Sequence, residues 1–210
     1  LTKMGATVEE REDGWYIVAK EQLKGVLIEL PYPSVGATET ILMAGVLAQG
    51  RTVIKNAAIE PEIMSLIMML QKMGAIIERG AGRDIEIIGV EKLTGCTHRV
   101  LPDRLEVASY ACIALATRGN IFCEDARHED MVTFLNAVRL IGGEYQVEKN
   151  GIRFIGKEKY KGLQLETDTA PGFSTDWQQP FVCVLTQAVG TSVIHETVYQ
   201  ERFGYTKTLA

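Results

Sequence analysis

The sequence has few of the residues that bind metal ions or form disulfides. Its four cysteines include no CxxC pair, and its three histidines share no spacing typical of a metal site. This pattern supports neither a zinc site nor a disulfide framework, and it predicts a reducing, cytoplasmic setting. The residues concerned are Cys96, Cys112, Cys123, Cys183, His98, His128 and His195.

Long apolar runs and an excess of positive charge are also missing. No run approaches the roughly 18 residues that a membrane-spanning helix needs. Residues 1–20 have neither the basic start nor the apolar centre of a signal peptide. The formal net charge of -5 argues against the clustered basic face that usually binds nucleic acid. We therefore expect no membrane partner and no nucleic-acid partner.

What the sequence does contain is three copies of one pattern about 70 residues long. The glycines that open the copies are Gly25, Gly95 and Gly162, and those that follow a helix-like run in each are Gly50, Gly119 and Gly190. This period exceeds the roughly 20 to 50 residues of solenoid repeats, so each copy is predicted to be a small α+β layer. Both ends of the chain match the middle of a copy, which suggests part of a longer repeat protein.

Periodicity in the first copy predicts the order βαβαββ. The predicted elements are a strand at 26–30, a helix at 39–49, a strand at 52–57, a helix at 62–74 and a hairpin at 75–89 that turns at 80–84. Gly50 is predicted to cap the first helix, and Pro61 to open the second. Two helices on one face of a four-stranded sheet would leave one buried layer per copy. Four methionines of the second helix are predicted to lie in that layer, namely Met64, Met68, Met69 and Met73.

The turn into the first helix differs among the copies, and candidate functional residues lie in it. It reads SVGATE, PDRLEVA and PGFSTDWQQ. Ser34 could cap the helix while Gly36 lets free N–H groups face a phosphate, although an ordinary cap explains both residues. Asp176, between Phe173 and Trp177, could be a partly desolvated general base, or simply a helix N-cap.

Arg202 lies beyond the second strand of the third copy, in the segment that also contains Glu196 and Glu201. Its planar guanidinium could bind a carboxylate or phosphate of a ligand. A surface ion pair is the alternative.

Four segments together resemble the UDP-N-acetylglucosamine 1-carboxyvinyltransferase family of enolpyruvyl transferases. They are SVGATETILMAGVLAQGRTVIKNAAIEPEI, GVEKLTGCTHRVLPDRLE, PGFSTDWQQPF and GTSVIHETVYQERF. The resemblance implies an α+β (α/β) fold of βαβαββ units, arranged with pseudo-threefold symmetry in an inside-out α/β barrel-like architecture. It also implies that residues 1–101 belong to one domain of the family and residues 102–210 to the other.

The resemblance implies a reaction as well. The family transfers enolpyruvyl from phosphoenolpyruvate to the 3′-hydroxyl of UDP-N-acetylglucosamine and releases phosphate, at the start of peptidoglycan precursor synthesis, without metal or organic cofactor. Asp176 matches the aspartate at the reacting hydroxyl. The matched substrate-binding residues are Ser34, Val35, Gly36 and Val198 at the sugar nucleotide, and Glu60, Asp103 and Arg202 around the cleft.

The sequence departs from the family in two respects. Tyr32 stands where many members have a lysine, which removes one phosphate contact and predicts weaker nucleotide binding. The family's catalytic loop and its phosphoenolpyruvate-binding residues match nothing within this chain. We therefore expect the chain alone to be inactive, and apolar surfaces left by missing units to favour self-association.

Three other functions remain open at this point. A 5-enolpyruvylshikimate-3-phosphate synthase shares the fold and the chemistry, although SVGATE and VLPDRLE favour the sugar-nucleotide enzyme. A non-catalytic paralogue would keep the sugar-nucleotide site without the loop. A purely structural repeat scaffold would bind no ligand.

Overall fold

A computed structural model describes residues 1–209 of the chain. The chain divides into two compact units, Leu1–Leu101 and Pro102–Ala210. The first contains strands β1 (Thr7–Arg11), β2 (Gly14–Val18), β3 (Leu27–Glu29), β4 (Arg51–Lys55), β5 (Ile76–Arg79) and β6 (Ile85–Ile88), and helices α1 (Val35–Gly45) and α2 (Pro61–Lys72). The second contains helices α3 (Arg104–Ala116), α4 (Val132–Leu140), α5 (Thr175–Leu185) and α6 (Thr206–Leu209), and strands β7 (Asn120–Glu124), β8 (Glu144–Glu148), β9 (Gly151–Ile155), β10 (Tyr160–Lys161), β11 (Gln164–Glu166), β12 (Ala188–Val189) and β13 (Val193–His195).

The first copy has the predicted order βαβαββ. Its four strands form one sheet in the order β3-β4-β6-β5, with β3 parallel to β4 and the other neighbours antiparallel. Helix α1 is the crossover between the parallel strands. It begins at Val35 and ends at Gly45, so the predicted helix at 39–49 was placed too late. Gly50 is not its cap; it has φ +91° in the turn before β4, a conformation that favours glycine.

One face of this sheet is buried under the two helices. Side chains alternate along β4, where Thr52 and Ile54 are buried and their neighbours are not. Helix α2 packs a stripe of Ile63, Ile67 and Leu70 on the same core. Met68 lies on the other side of the helix and is 48% exposed, so its predicted place in the core was wrong. Met64, Met69 and Met73 are half-buried.

The second copy lacks the opening strand that the repeat predicts, because residues 89–103 form no strand. This segment runs along α2 and uses its polar groups there. The backbone N–H of Thr94 donates to the carbonyl of Met73 at 2.8 Å, and two residues further on the Cys96 thiol donates to a carbonyl one turn back. His98 Nε2 lies 2.9 Å from the buried Ser65 hydroxyl. These contacts hold residues 94–98 against α2.

The remainder of the second copy is helix and antiparallel sheet. Strands β7, β9 and β8 pair in that order, and α3 and α4 belong to the same copy. The third copy repeats the crossover of the first, because β11 pairs in parallel with β13 across α5. A Cβ at Gly25 would overlap the carbonyl oxygen of Arg51, and one at Gly162 would overlap that of Thr191. These close approaches explain why the two copies open with glycine.

The core of the second unit is aromatic. The Phe134 ring lies between 5.5 and 6.3 Å from four other aromatic rings, measured between centroids. These are the rings of Phe154, Phe173, Trp177 and Phe181. Because three of them come from α5 and the turn before it, the core fixes the start of that helix.

We predict that Phe134→Ala lowers the free energy of unfolding of the second unit by about 3–5 kcal/mol, the usual loss for a buried phenylalanine. Trp177 fluorescence during urea unfolding reports on this unit, in a Trp15→Phe background because Trp15 is 66% exposed. Leu140→Ala on the same helix is the control, since Leu140 is 64% exposed and should lose little. Equal losses for the two variants would contradict the proposed core.

Candidate functional site

The first helix of every copy begins with a side-chain cap at the same position. Ser34, Asp103 and Ser174 are the N-caps of α1, α3 and α5. The hydrogen bonds are Ala37 N to Ser34 Oγ at 3.3 Å, Leu105 N to Asp103 Oδ1 at 2.7 Å, and Asp176 N to Ser174 Oγ at 3.3 Å. Capping therefore satisfies one or two of the helix N–H groups in each copy, and others remain for a ligand. Asp176 is not itself a cap, because Ser174 fills that role.

Gly36 is the second residue of α1, and the packing of the protein does not require a glycine at this position. It is exposed, and a Cβ built on it would have no atom within 4 Å. Its backbone is helical, a conformation in which glycine costs stability relative to alanine. The first turn of α1 is held by Thr38, whose hydroxyl donates to the Ser34 carbonyl and accepts from Ala58 N. A rigid helix start with an open glycine suits close approach by a ligand.

Glu60, in the same unit, is buried although it carries a carboxyl group. It is 6% exposed and stands at the N-cap of α2, directly before Pro61. Its side chain makes no capping hydrogen bond to the helix. The role that the resemblance gave Glu60, a polar residue of the cleft, remains a prediction.

In the second unit, Asp176 and Arg202 form an ion pair through Asp176 Oδ1 and Arg202 Nη2. The guanidinium also lies over the Tyr199 ring, 5.3 Å from its centroid. The Asp176 side chain is 44% exposed, which leaves it partly desolvated, but its flanking aromatic residues are not turned towards it. Phe173 and Trp177 point into the aromatic core instead, and are 5% and 2% exposed. Asp176 thus faces solvent with a fixed cation beside it.

Glu196 links the loop after β13 to the start of α5, and sequence reasoning did not choose it as a site residue. Its Oε1 accepts from the backbone N–H groups of Val198 and Tyr199 at 2.9 and 3.1 Å. Its Oε2 accepts from the Thr175 hydroxyl at 2.8 Å and from Gln178 Nε2 at 3.4 Å. Its position directly after the second strand of a parallel pair was the available signal, since loops at that edge bind ligands.

The same loop is fixed at a second point. Thr197 N donates to Thr167 Oγ1 at 3.0 Å, and Thr197 Oγ1 donates back to the Thr167 carbonyl. Thr167 directly follows β11, so the ends of β11 and β13 are joined by side chains as well as by the strand ladder. Val198 is half-buried in this loop.

Asp103 begins α3, which packs beside α5. The guanidinium of the next residue, Arg104, lies 5.1 Å from the Trp177 ring centroid, so the first turns of α3 and α5 are neighbours. The structure thus brings Asp176, Val198 and Arg202 together in the second unit, with Asp103 at an adjacent helix start. Ser34, Val35, Gly36 and Glu60 all lie in the first unit, at the starts of α1 and α2.

Other parts of residues 1–209 show fewer features of a ligand-binding site. A shallow groove of about 310 Å³ lies on the open face of the first sheet. Arg51 and Glu86 pair across it, which raises the pKa of the arginine and lowers that of the glutamate. Within residues 1–209, no three His, Cys, Asp or Glu side chains converge as a metal site would require. No helix in that range is long and apolar enough to span a bilayer.

Comparison with known proteins finds relatives whose sequences match this chain from its first residue to its last. It is 53% identical to the UDP-N-acetylglucosamine 1-carboxyvinyltransferase of Protochlamydia amoebophila (strain UWE25), covering 100% of this chain and 46% of the relative. It is 49% identical to the protein of the same name from Chlamydia muridarum, covering 100% and 48%. The chain thus spans about half the length of the curated relatives it matches.

Solved structures agree on the fold. The enolpyruvyl transferase NikO from Streptomyces tendae superposes with a TM-score of 0.87 at 20% identity, covering 98% of this chain and 52% of that one. EPSP synthase from Acinetobacter baumannii superposes with a TM-score of 0.72 at 22% identity, covering 98% and 50%. The α/β enolpyruvyl transferase fold that the resemblance implied is therefore confirmed. The family described as EPSP synthase (3-phosphoshikimate 1-carboxyvinyltransferase) matches residues 1–210, and the chain belongs to that family.

Proposed function

We propose that this chain forms part of an enzyme that transfers enolpyruvyl from phosphoenolpyruvate to the 3′-hydroxyl of UDP-N-acetylglucosamine and releases phosphate. The relatives that carry this name are about half identical along the entire chain. The observation that carries the proposal is the exposed carboxylate of Asp176, which is fixed by Arg202 at the start of α5. A carboxylate that is held in place and accessible to a ligand hydroxyl can act as a general base.

Asp176 takes the proton of the sugar hydroxyl in this proposal. The hydroxyl oxygen then bonds to C2 of phosphoenolpyruvate as the C=C bond breaks and the methylene carbon takes a proton from an acid that this proposal assigns to the family's catalytic loop. The product is a tetrahedral intermediate. Loss of a proton from its new methyl group restores the C=C bond as the bond from C2 to the phosphate oxygen breaks and phosphate leaves. Arg202 orients the carboxylate through its ion pair and cannot itself accept the proton. Val198 contacts the sugar from the loop that Glu196 holds, while Asp103 and Glu60, each in its own unit, supply further polar groups for the substrates.

Ser34, Val35 and Gly36 bind the nucleotide. The start of α1 presents N–H groups and the positive end of the helix dipole, which favour a phosphate. The openness at Gly36 lets the backbone approach that group closely. Tyr32, which is 47% exposed, takes the place of a lysine in many members, so we expect weaker phosphate binding by this chain.

The cellular setting follows from the substrates. UDP-N-acetylglucosamine and phosphoenolpyruvate are small cytoplasmic molecules, so we infer a cytoplasmic role in peptidoglycan synthesis, and through it in cell shape and division. The roles proposed for Asp176, Arg202 and the start of α1 require no metal or organic cofactor. The chain is expected to be inactive alone, because the family's catalytic loop and phosphoenolpyruvate residues match no part of it.

A 5-enolpyruvylshikimate-3-phosphate synthase is the second candidate, since the family's own description carries that activity. The sugar-nucleotide reaction is preferred because the relatives at 49–53% identity bear its name. A non-catalytic sugar-nucleotide-binding paralogue would keep the nucleotide site but release no phosphate. The first experiment below separates all three.

We expect activity when this chain replaces the matching stretch of the Protochlamydia amoebophila relative. Phosphate release from phosphoenolpyruvate should require UDP-N-acetylglucosamine and should not occur with shikimate 3-phosphate. Asp176→Asn should lower kcat by about 10²–10⁴-fold, as the loss of a general base does.

Asp13→Asn is the control for this chimera, since Asp13 lies in the exposed turn between β1 and β2. It should leave kcat unchanged. Release of phosphate with shikimate 3-phosphate would favour the second candidate. Saturable nucleotide binding without phosphate release would favour the paralogue, and a fully active Asp176→Asn chimera would remove Asp176 from catalysis.

Gly36→Ala should change stability and affinity in opposite directions. The alanine meets no protein atom and prefers the helix, so the free energy of unfolding should rise by up to about 1 kcal/mol. Its methyl group should obstruct the nucleotide, so the affinity of the chimera for UDP-N-acetylglucosamine should fall by about tenfold or more.

Isothermal titration and thermal unfolding measure the two effects of Gly36→Ala. Met43→Ala is the matched variant, because Met43 lies on the same helix, is 54% exposed and should leave the affinity unchanged. Unaltered affinity in Gly36→Ala would mean that α1 only packs on the sheet and that its first turn does not bind the nucleotide.

A further inference from the structure

The Glu196 carboxylate accepts four hydrogen bonds from two separate parts of the second unit. Two come from the loop after β13, through the backbone N–H groups of Val198 and Tyr199. Two come from the first turn of α5, through Thr175 and Gln178. One side chain therefore ties the loop to the start of the helix.

Each of the two segments carries one member of the proposed site. Asp176 lies between Thr175 and Gln178 in the chain, so the bonds to Glu196 hold the turn on either side of it. Arg202 lies in the loop that begins at Glu196, and its guanidinium stacks over Tyr199. A change at Glu196 would therefore move both ends of the Asp176–Arg202 ion pair.

Glu196 is an ionised acceptor. Burial would raise the pKa of its carboxyl group, but hydrogen bonds, among them those from Thr175 and from the Val198 and Tyr199 amides, lower it. At neutral pH the group is therefore a carboxylate, which can accept all four bonds and donate none. With both oxygens already occupied, it is poorly suited to a proton transfer of its own.

We propose that Glu196 is a positioning residue that sets the geometry of Asp176, Val198 and Arg202 for the sugar substrate; this role rests on the proposed function. Gln178 extends the same network inwards, because Tyr205 donates its hydroxyl to Gln178 Oε1 at 2.6 Å. Gln178 is fully buried, so the network is anchored in the core at one end and ends at Thr175, directly before Asp176, at the other.

Hydrogen exchange in the 210-residue chain tests the contact without requiring activity. Glu196→Ala should speed exchange of the Val198 and Tyr199 amides by about tenfold or more, since a bond to a charged acceptor is lost at each. Glu196→Gln should keep both amides protected. Its retained oxygen still faces the loop, while its new amide can donate to the Thr175 hydroxyl and to a flipped Gln178.

Glu166→Ala is the matched control. Glu166 ends the neighbouring strand β11 and pairs with His195 at 2.8 Å, and its side chain is 65% exposed. Its loss should leave both amides protected. If Glu196→Ala does not fold, Thr175→Val removes one of the four bonds and should give a smaller increase of the same kind. Unchanged exchange in a folded Glu196→Ala chain would overturn the proposal.

Kinetics in the chimera separate positioning from a purely structural role. Glu196→Ala should lower kcat and raise KM for UDP-N-acetylglucosamine, each by about tenfold or more, while Glu196→Gln should restore both to within about threefold of the unmutated chimera. A Gln variant as poor as the Ala variant would mean that the charge itself acts, and would overturn positioning. An inactive unmutated chimera would overturn the proposed function, and the exchange rates would still decide whether Glu196 holds the loop.

Discussion

The parallel pairing of the first two strands of a copy is the constraint on which the rest of the structure depends. Parallel neighbours require a crossover, and in the first and third copies the crossover is a helix that begins where the first strand has just ended. The ends of both strands and the start of the helix must therefore meet at one edge of the sheet. That edge holds Ser34 and Gly36 in the first copy, and Ser174, Asp176 and Glu196 in the third. Candidate ligand-binding groups lie at this edge because the strands end there, so that helix N–H groups and loop side chains point outward from the sheet.

Much of this arrangement could be predicted from the sequence, because the glycines mark places where backbones approach closely. Gly25 and Gly162 each lie against a carbonyl at or just before the next parallel strand, too close for a side chain to fit between. The strand missing from the second copy was predicted only from the repeat of the opening glycine, and residues 94–98 bind to α2 instead. Met68 was misplaced for a related reason: the apolar character of a side chain does not determine which side of a helix it occupies.

The place of Asp176 in the fold was predictable, but its contacts were not. The motif that contains Asp176 indicated a carboxylate at the start of a helix, and the structure has one there. Its environment differs from the prediction because Phe173 and Trp177 are neighbours in sequence whose rings point into the core, where they pack around Phe134. Its real partner, Arg202, is 26 residues away. Long-range pairs of this kind depend on the strand ladder, and local sequence carries no sign of them.

The residue that directly follows the second strand shows how one fold position acquires different roles. In the first two copies it is Asn56 and Asp125, with φ of 55° and 59°, a left-handed conformation that these two residue types tolerate. The Asn56 side chain donates to the carbonyl of Leu30, which directly follows the first strand, and so closes the turn locally. In the third copy the position is Glu196, whose longer side chain reaches the helix instead and accepts from Thr175 and Gln178. The repeat supplies a polar side chain at this edge in every copy. The Asn56 amide donates to the turn, whereas the longer Glu196 carboxylate accepts from the helix and so links the loop to it.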